Sequence, residues 1–486
     1  MRDPRYGGII RKAWNSMVEG SHTYVLYRKQ KLTTKALNKW NREVLGYCNS
    51  MIKELSTKIS EVQAQDRTKV NARSKAKMQV ELNEWLRRNE MLWQQKSRET
   101  WLKDGDKNSK LFHLTTIICR KRNSIDAIKN DDGDWLIDKK EIKDHVLNKF
   151  HQLFTEEVPN FPPDLELLIN PVITDSDNEC LCRIPTPEEI KALLFELNNP
   201  KAPGPGGLSA LFYKRYWPTV GNTVIDAIQS FFRSGRLLKE VNNSLIVLIP
   251  KIKSSSSVNH FRPISLCITV YKTISKLIVS RIRPMLDKLI SPAQLAFIPG
   301  RWIAKNQLLV HEVLHSFKRK KVTWGFLALK IDLQKAYDWV NWKFLQAILV
   351  NFGFHETFIK WIMECVGSVS SSVLINGGKS KHFSPSRGLR QGDPLSPYLF
   401  ILCQEVLSRI IDKEHMAGNL SCVKMNVEGP EVTNVMFADD LMLFSKASSM
   451  DVLALNSCLE KYCLWSGQLV NRGKSSIIFS KMVQLN

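Results

Sequence analysis

The chain has 486 residues, room for about three domains of ordinary size, and its 43% hydrophobic content excludes global disorder. Lys and Arg outnumber Asp and Glu by 70 to 47, and the net charge of +23 points to a polyanionic partner, nucleic acid first. No apolar run approaches the roughly 20 residues of a membrane span and the N-terminus opens with charges instead of an apolar signal segment, so an intracellular protein of the nucleus or cytoplasm is expected, with no membrane partner.

The charge is uneven. Residues 1–123 hold 27 Lys and Arg against 12 Asp and Glu, about two thirds of the net charge in a quarter of the chain. Apolar residues from Leu37 through Trp40, Val44, Cys48, Met51, Leu55 and Ile59 to Val62 recur at gaps of three and four. That spacing predicts one helical stripe over about seven turns, and Trp85–Trp93 lies in a second helical stretch. This basic helical region reads as a platform for a phosphate backbone. Residues 124–187 read as a connector, irregular where Pro159, Pro162, Pro163, Pro171, Pro185 and Pro187 crowd its second half.

Glu188–Asn198 reads as a short helix, and Pro200–Gly207 must be a loop because its prolines remove backbone donors. Strands are predicted at Leu245–Pro250 and Phe326–Asp332. A helix follows over Asn341–Phe352, with Asn341 as N-cap and Gly353 past its end. Ser372–Gly377 closes in an Asn-Gly hairpin turn. Leu395–Ile411 is a helix entered through Pro394 and Pro397, Val435–Phe444 reads strand, turn, strand, Asp451–Ser466 is a helix stopped by Gly467, and Leu469–Phe479 returns to extended chain. The pattern predicts an α+β fold, an antiparallel sheet with helices packed on one face. The ten cysteines lack the paired spacing of a zinc site, so reduced and mostly buried thiols are expected.

Two acidic positions stand out. Asp332 ends an apolar strand, and Asp439 and Asp440 fall where an apolar hairpin must turn. An Asp-Asp pair at a turn is ordinarily turn chemistry. Inside a core, however, adjacent carboxylates repel and call for cations. If the Asp332 strand lies beside that hairpin, three carboxylates converge and Mg²⁺ is the physiological choice.

At this point the sequence resembles the reverse transcriptases of LINE (non-LTR) retrotransposons, most closely those of plants. Seven blocks carry the likeness in order: Leu248–Lys251, Phe261–Leu266, Gln294–Arg301, Ile331–Asp338, Arg387–Pro397, Phe437–Asp440 and Asn471–Ser475. Upstream, Lys96–Arg98, Trp101–Leu102, Gly105–Asp106 and Phe112–His113 resemble the segment preceding the polymerase in such elements. The resemblance implies a right-hand polymerase with fingers over 188–324 and palm over 325–486. Its partners would be an RNA template, a DNA primer and deoxynucleoside triphosphates. Asp332, Asp439 and Asp440 would be catalytic and hold Mg²⁺, with Mn²⁺ able to substitute and no organic cofactor. Lys251 and Arg262 would meet the triphosphate, Gln391 and Gly392 would shape the nucleotide pocket, Tyr337 would lie under the sugar, and Lys474 would protonate pyrophosphate.

Two positions depart from the family pattern, Gly206 and Lys305, each where Asp is usual. Because the sequence stops at Asn486, where a helical thumb is expected to begin, and has no endonuclease before the polymerase, the expectation is a module truncated at both ends. A separate endonuclease would then be needed. The alternative is a degenerate remnant that folds and binds nucleic acid without polymerising.

Overall fold

The computed structural model describes residues 5–44, 48–64, 69–97, 109–155, 164–199, 201–319, 325–424 and 429–481. The upstream motif residues Arg98 to Asp106 lie outside them. The first helices are α1 (Arg5–Trp14), α2 (His22–Val44), α3 (Cys48–Ala64), α4 (Lys69–Ser97) and α5 (Ser109–Arg122). The single stripe expected from Leu37 to Val62 is therefore shared by α2 and α3. These helices fall into two sets. Ile10, Trp14 and Leu26 are buried in the main core with Phe212 and Val224, whereas α3 packs on α4 and α4 on α5, where Trp93 meets His113 edge-on at 4.2 Å.

The connector holds more regular structure than its prolines suggested. It contains the hairpin β1 (Ile128–Lys129) and β2 (Trp135–Leu136), then α6 (Lys139–Phe154) and α7 (Asp175–Cys182). Asp138 caps α6 through the amides of Lys140 and Glu141, and Thr174 and Asp177 form a reciprocal capping box on α7. Such caps, rather than proline density, decide short helices. Leu165, Ile169, Ile173 and Leu181 join the main core.

Next come α8 (Pro187–Glu196), α9 (Ala210–Arg215), α10 (Trp217–Ser234), β3 (Asn243–Pro250), β4 (Phe261–Cys267), α11 (Thr269–Ile282), α12 (Leu286–Leu289) and α13 (Ile303–Arg319). The Pro-Gly loop before α9 is anchored without a carboxylate at position 206. Thr34 Oγ1 donates to the Gly206 carbonyl at 3.0 Å, and Thr269 Oγ1 to that of Leu208 at 2.8 Å. Lys305 is exposed in the first turn of α13.

The remainder is β5 (Phe326–Asp332), α14 (Trp342–Asn351), α15 (Glu356–Gly367), β6 (Ser370–Ile375), β7 (Gly378–Lys379), α16 (Ser396–Met416), β8 (Val423–Lys424), β9 (Glu431–Val432), β10 (Asn434–Phe437), β11 (Asp440–Lys446), α17 (Ser449–Ser466) and β12 (Ser476–Phe479). Among the described residues there are two four-stranded sheets. The finger sheet runs β4-β3-β6-β7 with β3 and β6 parallel, so it takes two strands from the 325–486 range expected to be palm, and the palm sheet runs β10-β11-β5-β12, antiparallel throughout.

Period-two alternation splits the palm strands between two cores. Leu327, Ile331, Leu441 and Leu443 face the main core, with side chains of α14, α16 and α17. Ala328, Val435 and Phe444 face Val313 and Phe317 of α13. The principal helices thus lie on one face, and α13 covers part of the other. A third cluster joins Ile142, Val146 and Phe150 of α6 to Ile246, Phe261 and Val373 of the finger sheet. All ten cysteines are free, and five of them are buried. Among the described residues no helix is long and apolar enough to cross a membrane.

Candidate active site

Asp332 is the last residue of β5 and Asp440 the first of β11, and the sheet register sets them directly opposite one another. A two-residue turn, Ala438-Asp439, joins β10 to β11, with Ala438 at φ +54°. Three carboxylates therefore share one end of the palm sheet. Although Asp439 is solvent-exposed, lost hydration on its protein side raises its pKa. The charges of Asp440 and Asp332 push the same way, and Arg262 opposes them.

Asp332 is held from below. Asn471 Nδ2 donates to Asp332 Oδ2 at 2.9 Å, the Asn471 amide donates to the Asp332 carbonyl at 2.7 Å, and the Asp332 amide donates to Ser475 Oγ at 3.2 Å. Sequence reasoning took only the lysine from Asn471–Ser475. The signal for the rest was the Asn and Ser chemistry of a turn.

Of the nine candidate residues, eight line one cleft of about 820 Å³: Lys251, Arg262, Asp332, Tyr337, Gln391, Gly392, Asp439 and Lys474. Asp440 is not in that lining; it is exposed at its strand end. Lys251 follows β3, and Arg262 on β4 pairs with Ile249 in the same hairpin. Partial burial lowers the Lys251 pKa, and Lys474 and Arg262 lower it further. Lys251 and Arg262 thus reach the cleft from the finger hairpin, and Asp332, Asp439 and Lys474 reach it from the palm.

The Tyr337 ring stacks on Phe400 with centroids 4.6 Å apart, and burial followed by the charge of Asp439 raises its phenol pKa. Gln391 Nε2 donates to Asp338 Oδ1 at 3.0 Å, and the Ser265 amide donates to the Gln391 carbonyl at 2.7 Å. Gly392 has φ +105°, and a Cβ there would sit 3.0 Å from the Ser265 carbonyl oxygen, so the position requires glycine twice over. Asp338 is buried, which pushes its pKa up to about 6 against the pull of Gln391, Lys335 and Lys251.

The family model for reverse transcriptase (RNA-dependent DNA polymerase) matches residues 249–484. The transposon TX1 uncharacterized 149 kDa protein of Xenopus laevis is 28% identical over 383 residues, covering 78% of this chain and 29% of that protein. The retrovirus-related Pol polyprotein from type-2 retrotransposable element R2DM of Drosophila melanogaster is 27% identical over 263 residues, 54% of this chain and 23% of its own. From the same organism, the RNA-directed DNA polymerase from mobile element jockey is 24% identical over 374 residues, 74% of this chain and 38% of its own. Residues 249–484 are by that match a reverse transcriptase domain, and the relatives are proteins of transposable elements. The chain spans well under half the length of each of these relatives.

Sequence reasoning missed the network that steadies the Arg387–Pro397 block of this reverse transcriptase domain. Asp393 pairs with Arg390 at 3.0 Å and accepts from Tyr271 Oη and Ser275 Oγ, both at 2.5 Å. Arg390 also donates to Asn242 Oδ1 at 2.6 Å and to the Cys365 carbonyl at 3.0 Å, with its guanidinium 4.0 Å over the Tyr271 ring. A buried ion pair is tolerable when its remaining lone pairs and protons are satisfied in this way. Gln391 and Gly392 sit between the two charges, on a rigid base. Asp393 also accepts from the Leu395 amide at 3.1 Å, at the entry to α16.

Among the described residues the group of three ligand atoms that lie within 4.8 Å of one another is His415, Cys422 and Glu431; the three aspartates are not drawn that tightly together. Its carboxylate is already engaged, by Lys424 at 2.8 Å and by His415 Nε2 at 3.0 Å. His415 Nδ1 donates to the Leu420 carbonyl at 2.8 Å. The trio is a salt-bridged corner beneath the palm.

Proposed function

We propose that this cleft performs RNA-directed DNA synthesis, joining deoxynucleoside triphosphates to the 3′-hydroxyl of a DNA primer on an RNA template. The observation that carries the proposal is the in-register pairing of Asp332 with Asp440 beside Asp439, at a cleft that Lys251 and Arg262 also line. The donor set fits hard divalent cations: all three groups offer carboxylate oxygen, and mutual repulsion contributes to the raised pKa of Asp439. Mg²⁺ is the physiological choice, Mn²⁺ a substitute, and Asp332 and Asp439 the principal ligands. When bound, such cations polarise the primer hydroxyl and neutralise charge on the leaving pyrophosphate.

The other roles belong to the chain itself. Lys251 and Arg262 bind the triphosphate; the Arg fork suits phosphate oxygens. Gln391 and Gly392 form the floor on which the base pair rests, and Tyr337 lies under the sugar. Lys474 gives a proton to the departing pyrophosphate.

Primer extension on an RNA template tests the proposal. Activity should require Mg²⁺ or Mn²⁺ and vanish with a chelator. Asp332→Asn and Asp439→Asn should each lower extension by at least about 100-fold, because stabilisation of transition-state charge is lost. Asp440→Asn should retain more, since its side chain lies outside the cleft lining. Equal extension by Asp332→Asn and the parent would sink the assignment. A folded parent that binds nucleic acid yet never extends a primer would be the degenerate remnant instead.

A further inference from the structure

We propose that Gln294 is a positioning residue that sets the turn carrying Asp439; the inference rests on the metal-binding reading of the three carboxylates. Ala438, immediately before Asp439, has φ +54°, a region that side chains other than glycine rarely adopt. Something must hold it there. Its amide donates to Gln294 Oε1 at 3.0 Å, an oxygen that also accepts from the Ala296 amide at 2.9 Å. Gln294 Nε2 donates to Gln404 Oε1 on α16 at 3.0 Å, and Gln294 and Gln404 are both fully buried. The amide therefore has one orientation, because a flip would aim its NH₂ at two donors.

The backbone around Gln294 grips the same strand. The Met436 amide donates to the Ala293 carbonyl at 2.8 Å, and the Met436 carbonyl accepts from the Leu295 amide at 3.1 Å and from Asn306 Nδ2 at 2.9 Å. Arg301 fastens this segment in turn, donating to the carbonyls of Ser291 and Gln294 at 2.6 and 2.7 Å. The free edge of β10 is thus clamped up to the residue where the turn begins, and the side chain of Gln294 extends the clamp into the turn. A neutral acceptor is required there. Glutamate would bury a fourth negative charge near three carboxylates.

The test is Mn²⁺ binding by the full chain, followed by the electron paramagnetic resonance of the free ion, with no nucleotide present. Gln294→Met keeps the volume and removes the acceptor. It should weaken Mn²⁺ binding about tenfold, as loss of an outer-shell partner does elsewhere. Adding Ala438→Gly to it should recover most of that loss, since glycine takes a left-handed φ without help. Thermal stability should not recover, because the Gln404 and Ala296 partners stay unpaired. Unchanged Mn²⁺ binding in folded Gln294→Met, or no recovery with glycine at 438, would overturn the proposal. Asp439→Asn separates the two levels: parent-like Mn²⁺ binding there condemns the metal-site reading itself, whatever Gln294 does.

Discussion

Burial and charge give two residues of the cleft opposite fates with pH. Folding favours the neutral acid of Asp338, whose pKa rises from an ordinary 3.8 to about 6 through loss of hydration. A folded pKa above the unfolded one gives stability that is complete below the unfolded value and is lost as pH climbs through the folded one. Between about pH 4 and 6, ionisation of Asp338 should therefore cost the fold on the order of 2–3 kcal/mol. Asn at 338 can still accept from Gln391 and carries no charge. Asp338→Asn should raise the denaturation midpoint at pH 7.5 and flatten its dependence on pH over that window; parallel curves for variant and parent would refute this. Tyr337, with its pKa raised, stays neutral and acts by shape. In its proposed place beneath the sugar it would be a steric gate that excludes a 2′-hydroxyl by a clash. Tyr337→Ala should raise the efficiency ratio of a ribonucleotide to its deoxy counterpart while extension continues. The competing role is packing on Phe400 alone, which predicts a stability loss of roughly 3–5 kcal/mol and an unmoved ratio.

Between elements, the finger hairpin makes a connection that its sequence did not advertise. Asn376 and Gly377 adopt φ +48° and +84° in the turn between β6 and β7, as an Asn-Gly pair predicts. The Asn376 side chain also accepts from the Ile125 amide at 2.9 Å and donates to the Ile125 carbonyl at 2.8 Å. Asn376→Gly keeps the turn and loses both bonds, which should cost about 1–2 kcal/mol. Asn376→Ala adds backbone strain, so its denaturant midpoint should fall further; the reverse order would mean the turn, not the tie, matters.

Local chemistry was legible at several elements of the later chain, though the caps on α6 and α7 went unread. Asn341 does cap α14 through the Phe344 amide at 2.9 Å, β5 has its expected bounds, and α17 stops at Gly467. What stayed hidden depended on distant partners. The parallel pairing of β3 with β6, the Arg390–Asp393 network and the hold of Asn471 on Asp332 join residues far apart in sequence, and no short-range pattern encodes them. Six of the seven blocks meet in the lining of one cleft, and Gln294–Arg301 is the one that does not. They were silent on why Gln294 belongs among them.

Over the whole molecule, the basic N-terminal region is not a detachable arm. Because α1 and α2 contribute Ile10, Trp14 and Leu26 to the main core, deleting residues 1–123 would damage folding as well as affinity. The charge is better probed on α2, where Lys31, Lys35 and Lys39 repeat every four residues. They line a second cleft of about 900 Å³, with Lys379 and His382 also in its walls. Replacing the three lysines by Ala should flatten the slope of log affinity for single-stranded RNA against log salt by about 2, at roughly 0.7 per phosphate released. An unchanged slope would leave this face as solubilising surface.

The strand bearing Asp332 also dictates when the protein becomes itself. On one side β5 pairs with β11, more than a hundred residues further along the chain, and on the other with β12, further still. Asn471, which orients Asp332, is 139 residues downstream. On a ribosome, β5 emerges long before either neighbour exists, an apolar strand with both edges bare and prone to pairing with the wrong chain. Synthesis must proceed through residue 479 before that strand has its partners. Until then the nascent chain carries an apolar strand without its neighbours, and Asp332 at its end lacks the residues that face and orient it.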